Sequence, residues 1–89
     1  MANHKSAIKR ANQSEARRLR NRTRKTRMKN VIKSVEDALA SKTPETALER
    51  LKEAISVIDR TAAKGVIHKN NAARKISRLS RRVSSAIAQ

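Results

Sequence analysis

Residues 17–39 decide how this chain folds, and they read RRLRNRTRKTRMKNVIKSVEDAL. From Met28 onwards, apolar residues recur at three- and four-residue spacing, which is typical of one face of a helix. In Arg17–Lys29, eight of 13 residues are Arg or Lys and none is acidic. Because these side chains repel one another and have little to bury, this part needs an anionic partner. The pattern predicts one long helix with a packed half and a cationic half.

The composition outside this stretch indicates the same kind of partner. The 89 residues carry a formal net charge of +16 and include no aromatic residue and no cysteine. Residues 1–33 hold 12 basic and one acidic side chain (+11), residues 34–63 hold four and six (−2), and residues 64–89 hold seven and none (+7). A polyanion such as nucleic acid relieves this repulsion. The lack of cysteine excludes disulfides and thiolate zinc sites.

The chain is predicted to form three helices joined by short loops. Helix 1 covers about residues 7–40, which contain neither Gly nor Pro, whereas residues 1–6 lack a periodic signal and are expected to be mobile without a partner. Helix 2 covers about 44–64: Thr43 is expected to cap it, Pro44 and Glu45 to occupy its first turn and Gly65 to close it.

Helix 3 is predicted over about residues 69–88, with Asn70 or Asn71 as its cap. The apolar faces are expected at Met28, Val31, Ile32, Val35, Ala38 and Leu39; at Leu48, Leu51, Ala54, Ile55, Ile58 and Ala62; and at Ala72, Ile76, Leu79, Val83, Ala86 and Ile87. The sequence therefore predicts a single all-α domain over 1–89, an antiparallel up-down-up three-helix bundle with a long first helix. The basic half of that helix, within residues 1–27, is expected to overhang the bundle and bind an anionic partner, with nucleic acid as the leading candidate.

Several other functions fit parts of the pattern less well. A disordered tail would not continue into a patterned helix, and a transit peptide needs more large apolar residues than residues 1–27 contain. A basic leucine zipper is too short, because Pro44 ends the pattern after about two heptads. A membrane-surface helix lacks Trp and Phe. His4 and His68 are too isolated to suggest a metal site, and the carboxylates of helix 2 have no nucleophile beside them, so no enzyme and no cofactor are expected.

Three segments resemble a known family. They are MANHKSAIKR (Met1–Arg10), RRLRNR (Arg17–Arg22) and AAKGVIHKNNAARK (Ala62–Lys75), and together they are similar to the characteristic segments of the bacterial small-subunit ribosomal protein S-twenty family. The resemblance implies a three-helix bundle that is a structural constituent of the cytoplasmic ribosome. It also implies direct, early binding to the 5′ domain and the long penultimate helix of small-subunit (16S-type) ribosomal RNA.

The resemblance further implies few or no contacts with other ribosomal proteins, no membrane and no small-molecule substrate. By motif, the implied RNA contacts are Asn3, His4, Lys5, Ser6, Lys9 and Arg10; Arg17, Arg18, Arg20, Asn21 and Arg22; and Lys64, His68, Lys69, Asn70 and Arg74. The family more often has a basic residue where this chain has Ile76, which the periodicity puts in the core.

The charge pattern extends the candidate RNA-binding set to Arg24, Lys25, Arg27, Lys75, Arg78 and Arg81. Arg grips a phosphate with two parallel hydrogen bonds, and base stacking is not expected without aromatic side chains. The segment Lys69–Asn71 could bind a phosphate through free amides or merely cap helix 3. Helix 2 has a mixed-charge outer face that includes Lys52 and Arg60 and is the least expected to contact phosphate. The remaining alternative is a basic DNA-compacting or DNA-regulatory helical protein.

Overall fold

Three helices make up most of the chain in the computed structural model, which describes residues 2–88 and, of the side chains, those from Lys5 onwards. They are α1 (Ala2–Ala40), α2 (Pro44–Ala63) and α3 (Lys69–Ala88), and the described part contains no strand. The prediction of an all-α, three-helix fold is confirmed. The predicted start of α1 is wrong, because the helix already begins at Ala2. Residues 2–6 contain no Gly or Pro, and a helix nucleated by the packed half extends through such residues without an apolar face.

The core lies on both sides of α2, which contacts α1 and α3 extensively while those two contact each other little. The largest fully buried side chains are Ile58, Val35 and Val83, one from each helix. Because no aromatic ring is available, small residues fill the remaining space. The buried apolar set is Met28, Val35, Ala38, Ala47, Leu51, Ala54, Val57, Ile58, Ala72, Leu79 and Val83.

The apolar face predicted for α1 is confirmed, since all six of its residues are buried or pack against the core. The face predicted for α2 is wrong at one side: Leu48 is 39% exposed, whereas Ala47, Val57 and Thr61 are buried. A helix between two partners buries a wider arc than an amphipathic pattern shows. On α3, Ile76 packs against the core as its periodicity predicts. Ile87 was predicted to be buried but is 50% exposed, close to the end of the helix.

The connection between α1 and α2 is closed by two hydrogen bonds that reach back onto α1. The N–H of Lys42 donates to the Leu39 carbonyl (3.1 Å), and the N–H of Thr43 donates to the Ala38 carbonyl (3.1 Å). Lys42 has φ +58°, the left-handed conformation that such closures require. The predicted Thr43 cap is wrong, because its hydroxyl donates to the Ala38 carbonyl (3.1 Å) and makes no capping bond to α2. Pro44 begins α2, as predicted.

Gly65 closes α2, as predicted. Its φ is +76°, its N–H donates to the Ala62 carbonyl (2.9 Å), and the next N–H, from Val66, donates to the Thr61 carbonyl (3.1 Å). This pair of bonds is the Schellman motif. The end of α2 is therefore fixed by backbone geometry, and the chain turns at once towards α3.

His68 caps α3 in place of the predicted Asn70 or Asn71. Its ring Nδ1 accepts a hydrogen bond from the N–H of Asn70 (3.1 Å), and its carbonyl accepts from Asn71 and Ala72 (3.0 and 3.1 Å). Because the helix already begins at Lys69, both asparagines lie inside its first turn, where their side chains cannot act as the N-cap.

α1 extends far beyond the other two helices. Its 39 residues correspond to about 58 Å at 1.5 Å per residue, against about 30 Å for the 20 residues of α2. Among residues 5–27, only Asn21 and Arg24 are even partly buried, and the first buried side chain is Met28. We call residues 5–27 the overhang. It accounts for the elongated shape of the molecule, 68 × 23 × 14 Å.

Two contacts show how α1 and α2 lie against each other. Arg50 of α2 donates through Nη1 to the Ser34 carbonyl in the middle of α1 (3.0 Å). Further towards the start of α1, Arg24 and Arg27 lie beside the end of α2 at Lys64. The contacts therefore run in opposite directions along the two helices, and the end of α2 meets α1 where the overhang leaves the bundle.

Candidate nucleic-acid interface

The overhang presents cations on most of its circumference. At 100° per residue, its cation-poor side is a strip that contains Glu15, Leu19, Thr23 and Thr26. The two threonine hydroxyls donate to the carbonyls of Leu19 and Arg22 (3.0 Å each), so they are already used within the helix. The remaining sides carry the arginines and lysines, and all of these except Arg24 are exposed.

Almost none of the overhang's charge is neutralised within the protein. Its one ion pair within the described residues joins Arg18 Nη1 to Glu15 Oε1 at 3.7 Å, and the two side chains are 80% and 73% exposed. A pair this exposed contributes little. Like charges at i and i+4, such as Arg18 with Arg22, destabilise the helix by roughly 0.2–0.5 kcal/mol each. An anion that lies along the overhang therefore removes repulsion and supplies partners for guanidinium N–H groups.

The segment RRLRNR forms one side of a shallow groove along the overhang. It is lined by Ser14, Arg17, Arg18, Asn21, Arg22 and Lys25. Asn21 is half-buried and the others are exposed. Five of these six residues belong to the set expected from the sequence, and the helix brings them together on one surface.

A second concave surface lies where the overhang meets α2. We call it the crossing pocket; its volume is about 150 Å³, and its lining residues are Arg24, Arg27, Val57, Arg60, Thr61 and Lys64. The structure thus brings together Arg24, Arg27 and Lys64, which are far apart in sequence, and adds Arg60. Sequence reasoning placed Arg60 on the solvated face of α2. The sequence did contain a sign of this arrangement. Val57, Arg60, Thr61 and Lys64 follow one another at three- and four-residue spacing, which puts two buried residues and two cations on the same side of α2.

The turn between α2 and α3 continues the basic surface away from this pocket. Lys64, His68, Lys69, Asn70 and Arg74 are all exposed. Because Nδ1 of His68 accepts the bond from the Asn70 N–H, the neutral ring carries its proton on Nε2. Nε2 is then the ring atom that can donate to an external acceptor.

The cations of α3 are spread along the bundle. Arg74, Arg78 and Arg81 are exposed, and Lys75 is half-buried. Arg78 lines a groove with Lys75 and Arg82, and in that groove Arg82 Nη1 pairs with Glu36 Oε1 of α1 at 3.2 Å. Arg81 instead lies beside Leu39, at the end of the bundle opposite the overhang.

The set expected from the sequence is therefore gathered only in part. Lys5, Ser6, Lys9 and Arg10 lie exposed near the beginning of the overhang, and Arg20 lies exposed in its middle. The side chains of Asn3 and His4 lie outside the described residues. Among the described side chains, from Lys5 to Ala88, the structure contains no group of three or more His, Asp or Glu residues that could hold a metal ion. No helix in this range is long and apolar enough to cross a membrane.

Three helices with a long, uncovered cationic extension define a class of small basic proteins suited to a polyanion. Within that class the family is shown by sequence: the family model described as Ribosomal protein S20 matches residues 2–84. The chain belongs to this family, the S-twenty family that its segments resemble. Membership in a ribosomal protein family makes the chain a structural component rather than an enzyme.

Individual relatives are similar along almost their whole length. The small ribosomal subunit protein bS20 of Syntrophobacter fumaroxidans is 71% identical over 85 residues, which cover 96% of this chain and 99% of the relative. The protein of the same name from Nitratidesulfovibrio vulgaris is 58% identical over 85 residues, covering 96% and 98%. That of Oleidesulfovibrio alaskensis is 59% identical over 83 residues, covering 93% and 95%.

Proposed function

We propose that this protein is a structural constituent of the small ribosomal subunit in the cytoplasm and binds its 16S-type RNA directly. The overhang is the observation that carries the proposal. A stretch of helix with almost every side chain exposed, and with cations on most sides, has little protein surface to pack against. Folded RNA supplies both the countercharge and the contact surface that this part of α1 lacks. The names of the relatives, which are small ribosomal subunit proteins, support the same assignment.

Binding is driven by phosphate neutralisation. Each Arg or Lys that meets a phosphate releases condensed counterions, so affinity falls steeply with salt. The guanidinium groups of the overhang make binding depend on the orientation of the phosphate, because Arg grips a phosphate with two parallel hydrogen bonds. Without Phe, Tyr or Trp, the protein has no platform on which to stack unpaired bases. It therefore reads the shape of a folded RNA backbone more than its base sequence.

The contact set proposed for RNA is the one expected from the sequence. The overhang inserts between RNA helices with its cationic sides, and the turn around His68 and the basic side of α3 meet a second part of the RNA. We place these contacts in the 5′ domain and the long penultimate helix, with few or no contacts to other ribosomal proteins. The separation of the basic surfaces along an elongated molecule supports a role in holding several RNA helices together during assembly.

A competition experiment tests this function. The protein is mixed with labelled 5′-domain RNA at physiological salt and challenged either with unlabelled RNA of the same sequence or with duplex DNA of equal phosphate content. We expect the RNA to compete at least tenfold more strongly, roughly the discrimination that shape and 2′-hydroxyl contacts provide. Equal competition by duplex DNA would instead indicate a DNA-compacting protein. Chemical footprinting of the RNA with and without the protein then locates the contacts.

A further inference from the structure

The crossing pocket has the features of an anion site built from two helices. Arg24 and Arg27 enter it from α1, and Arg60 and Lys64 enter it from α2. Its other two lining residues, Val57 and Thr61, are both buried. The hydroxyl of Thr61 donates to the Val57 carbonyl at 2.7 Å, so it is already engaged. The charged side chains that line the pocket belong to three arginines and one lysine.

No carboxylate lines this pocket. The ion pairs within the described residues are Arg18 with Glu15 and Arg82 with Glu36, and neither uses a cation of the pocket. Arg60 donates through Nη2 to the Ser56 hydroxyl (3.0 Å), which occupies one of its five N–H donors and leaves its charge uncompensated. Positive charges of one sign in a concavity with buried walls concentrate the local potential and attract an anion.

One cation of the pocket is also less exposed than the other cations of the overhang. Arg24 is half-buried, unlike the other cations of the overhang, and it lines the pocket together with the buried Val57 and Thr61 of α2. A stem that covers apolar surface while its charged head stays in water has already lost much of its rotamer freedom. Less entropy is then lost when this guanidinium binds a ligand than when a fully exposed one does.

We infer that Arg24, Arg27, Arg60 and Lys64 form one binding site for a phosphodiester of the RNA backbone. The inference rests on the proposed function and deepens it, because it adds Arg60 and joins residues from two helices in a single site. The site lies where the overhang leaves the bundle. A phosphate held there contacts α1 and α2 at once, so it ties the overhang and the bundle to the same stretch of RNA.

A matched pair of substitutions in α2 tests this site. Arg60→Gln and Lys52→Gln each remove one positive charge from an exposed side chain of the same helix, but only Arg60 lines the pocket. The dissociation constant of the full chain for 5′-domain RNA is measured over a series of salt concentrations. We expect Arg60→Gln to weaken binding about tenfold at the lowest salt and to reduce the slope of log K against log salt by about one unit. Lys52→Gln should leave the slope unchanged and the affinity within about twofold.

Arg60→Lys separates charge from geometry. It keeps the positive charge but loses the planar fork, so its affinity should lie between those of the wild type and Arg60→Gln. Thermal midpoints of all three variants, followed by circular dichroism, should match the wild type because both positions are exposed. Equal effects of Arg60→Gln and Lys52→Gln would overturn the site while leaving RNA binding intact. Failure of the wild type to prefer ribosomal RNA over duplex DNA would overturn the proposed function itself.

Discussion

At the scale of single residues, Lys42 and Gly65 hold the same left-handed conformation at the ends of α1 and α2. Their φ angles are +58° and +76°. At each position, the same pair of backbone hydrogen bonds joins the end of the helix to this residue and the one after it. The two sites therefore differ chiefly in the side chain. A side chain in this conformation costs roughly 1–2 kcal/mol, and glycine avoids that cost. The chain therefore contains one relaxed helix ending and one strained ending.

Exchanging the residue types should have opposite effects. Gly65→Ala should lower the free energy of unfolding by about 1 kcal/mol. Nothing lies within 4 Å of the added methyl group, so its effect comes from backbone conformation alone. Lys42→Gly should raise the free energy of unfolding by about 0.5 kcal/mol, because the relieved strain exceeds the entropy added to the unfolded chain. Urea denaturation at fixed salt measures both, and an unchanged midpoint for Gly65→Ala would contradict the assignment of strain.

His68 caps α3 and also belongs to the proposed RNA-binding set, and substitution can separate the two roles. His68→Ala removes the acceptor for the Asn70 N–H and should cost about 1 kcal/mol of unfolding free energy. His68→Asn supplies another capping acceptor and should restore that stability. Because asparagine has no group where Nε2 lies, the same variant should bind 5′-domain RNA about fivefold more weakly if Nε2 donates to the RNA. Chemical denaturation and RNA titration of both variants make the comparison, and equal stabilities of the two variants would exclude the cap.

At the scale of helices, α1 combines a half that packs in the bundle and an overhang that we propose binds RNA. The residues from Met28 to Leu39 supply the contacts with α2 and α3, and they act as a nucleus from which the helix extends towards its beginning. The overhang gains little burial from this arrangement, because only Asn21 and Arg24 are even partly buried. Its helical state depends on the propensity of Ala, Arg, Lys and Gln and on continuity with the packed half.

Deleting residues 1–27 should therefore separate the two functions. We expect the remaining chain to retain α2, α3 and the rest of α1, with a cooperative thermal transition by circular dichroism. Its affinity for 5′-domain RNA should fall by a factor of at least roughly 100, since ten cationic side chains are lost. A full-length control with Arg17, Arg18, Arg20 and Arg22 changed to Gln keeps the chain length. Loss of the cooperative transition on deletion would show that the overhang is needed for folding.

The helices also show which parts of the fold a single sequence can predict. The face of α1 was predictable because Val31, Ile32 and Val35 are large and regularly spaced. The face of α2 was wrongly predicted to include Leu48. Burial on α2 depends on contacts with two other helices, and Ala47 and Thr61 occupy buried positions there although their side chains give a weak apolar signal. The His68 cap escaped prediction because histidine is not among the usual N-cap residues.

At the scale of the whole molecule, positive charge is concentrated at one end and along α3. The overhang, the crossing pocket and the turn at His68 share the end where α1 leaves the bundle. Arg81 lies at the other end, beside Leu39. The sequence predicts a set of basic candidate residues but not how they group in space. That Arg24 and Arg60 meet follows from how two helices lie against each other, which no local pattern encodes.

The cations of α3 provide a test of how far RNA contact extends along the bundle. Changing Arg74, Arg78 and Arg81 together to Gln should reduce the slope of log K against log salt by about two to three units if each side chain meets a phosphate. All three are exposed, so the thermal midpoint should change little. Filter binding over a salt series measures the slope. An unchanged slope would mean that this side of α3 faces only solvent, and RNA contact would then be limited to the overhang end.

The uncovered overhang has a further consequence for the lifetime of the chain. A helix without tertiary contacts opens locally at little free-energy cost, and here nearly every turn exposes an Arg or Lys peptide bond of the kind that trypsin-like proteases cleave. We therefore expect proteases to cut copies without RNA first within residues 5–27 and RNA-bound copies to be shielded. The exposure that suits the overhang to an RNA partner would then also shorten the lifetime of surplus protein.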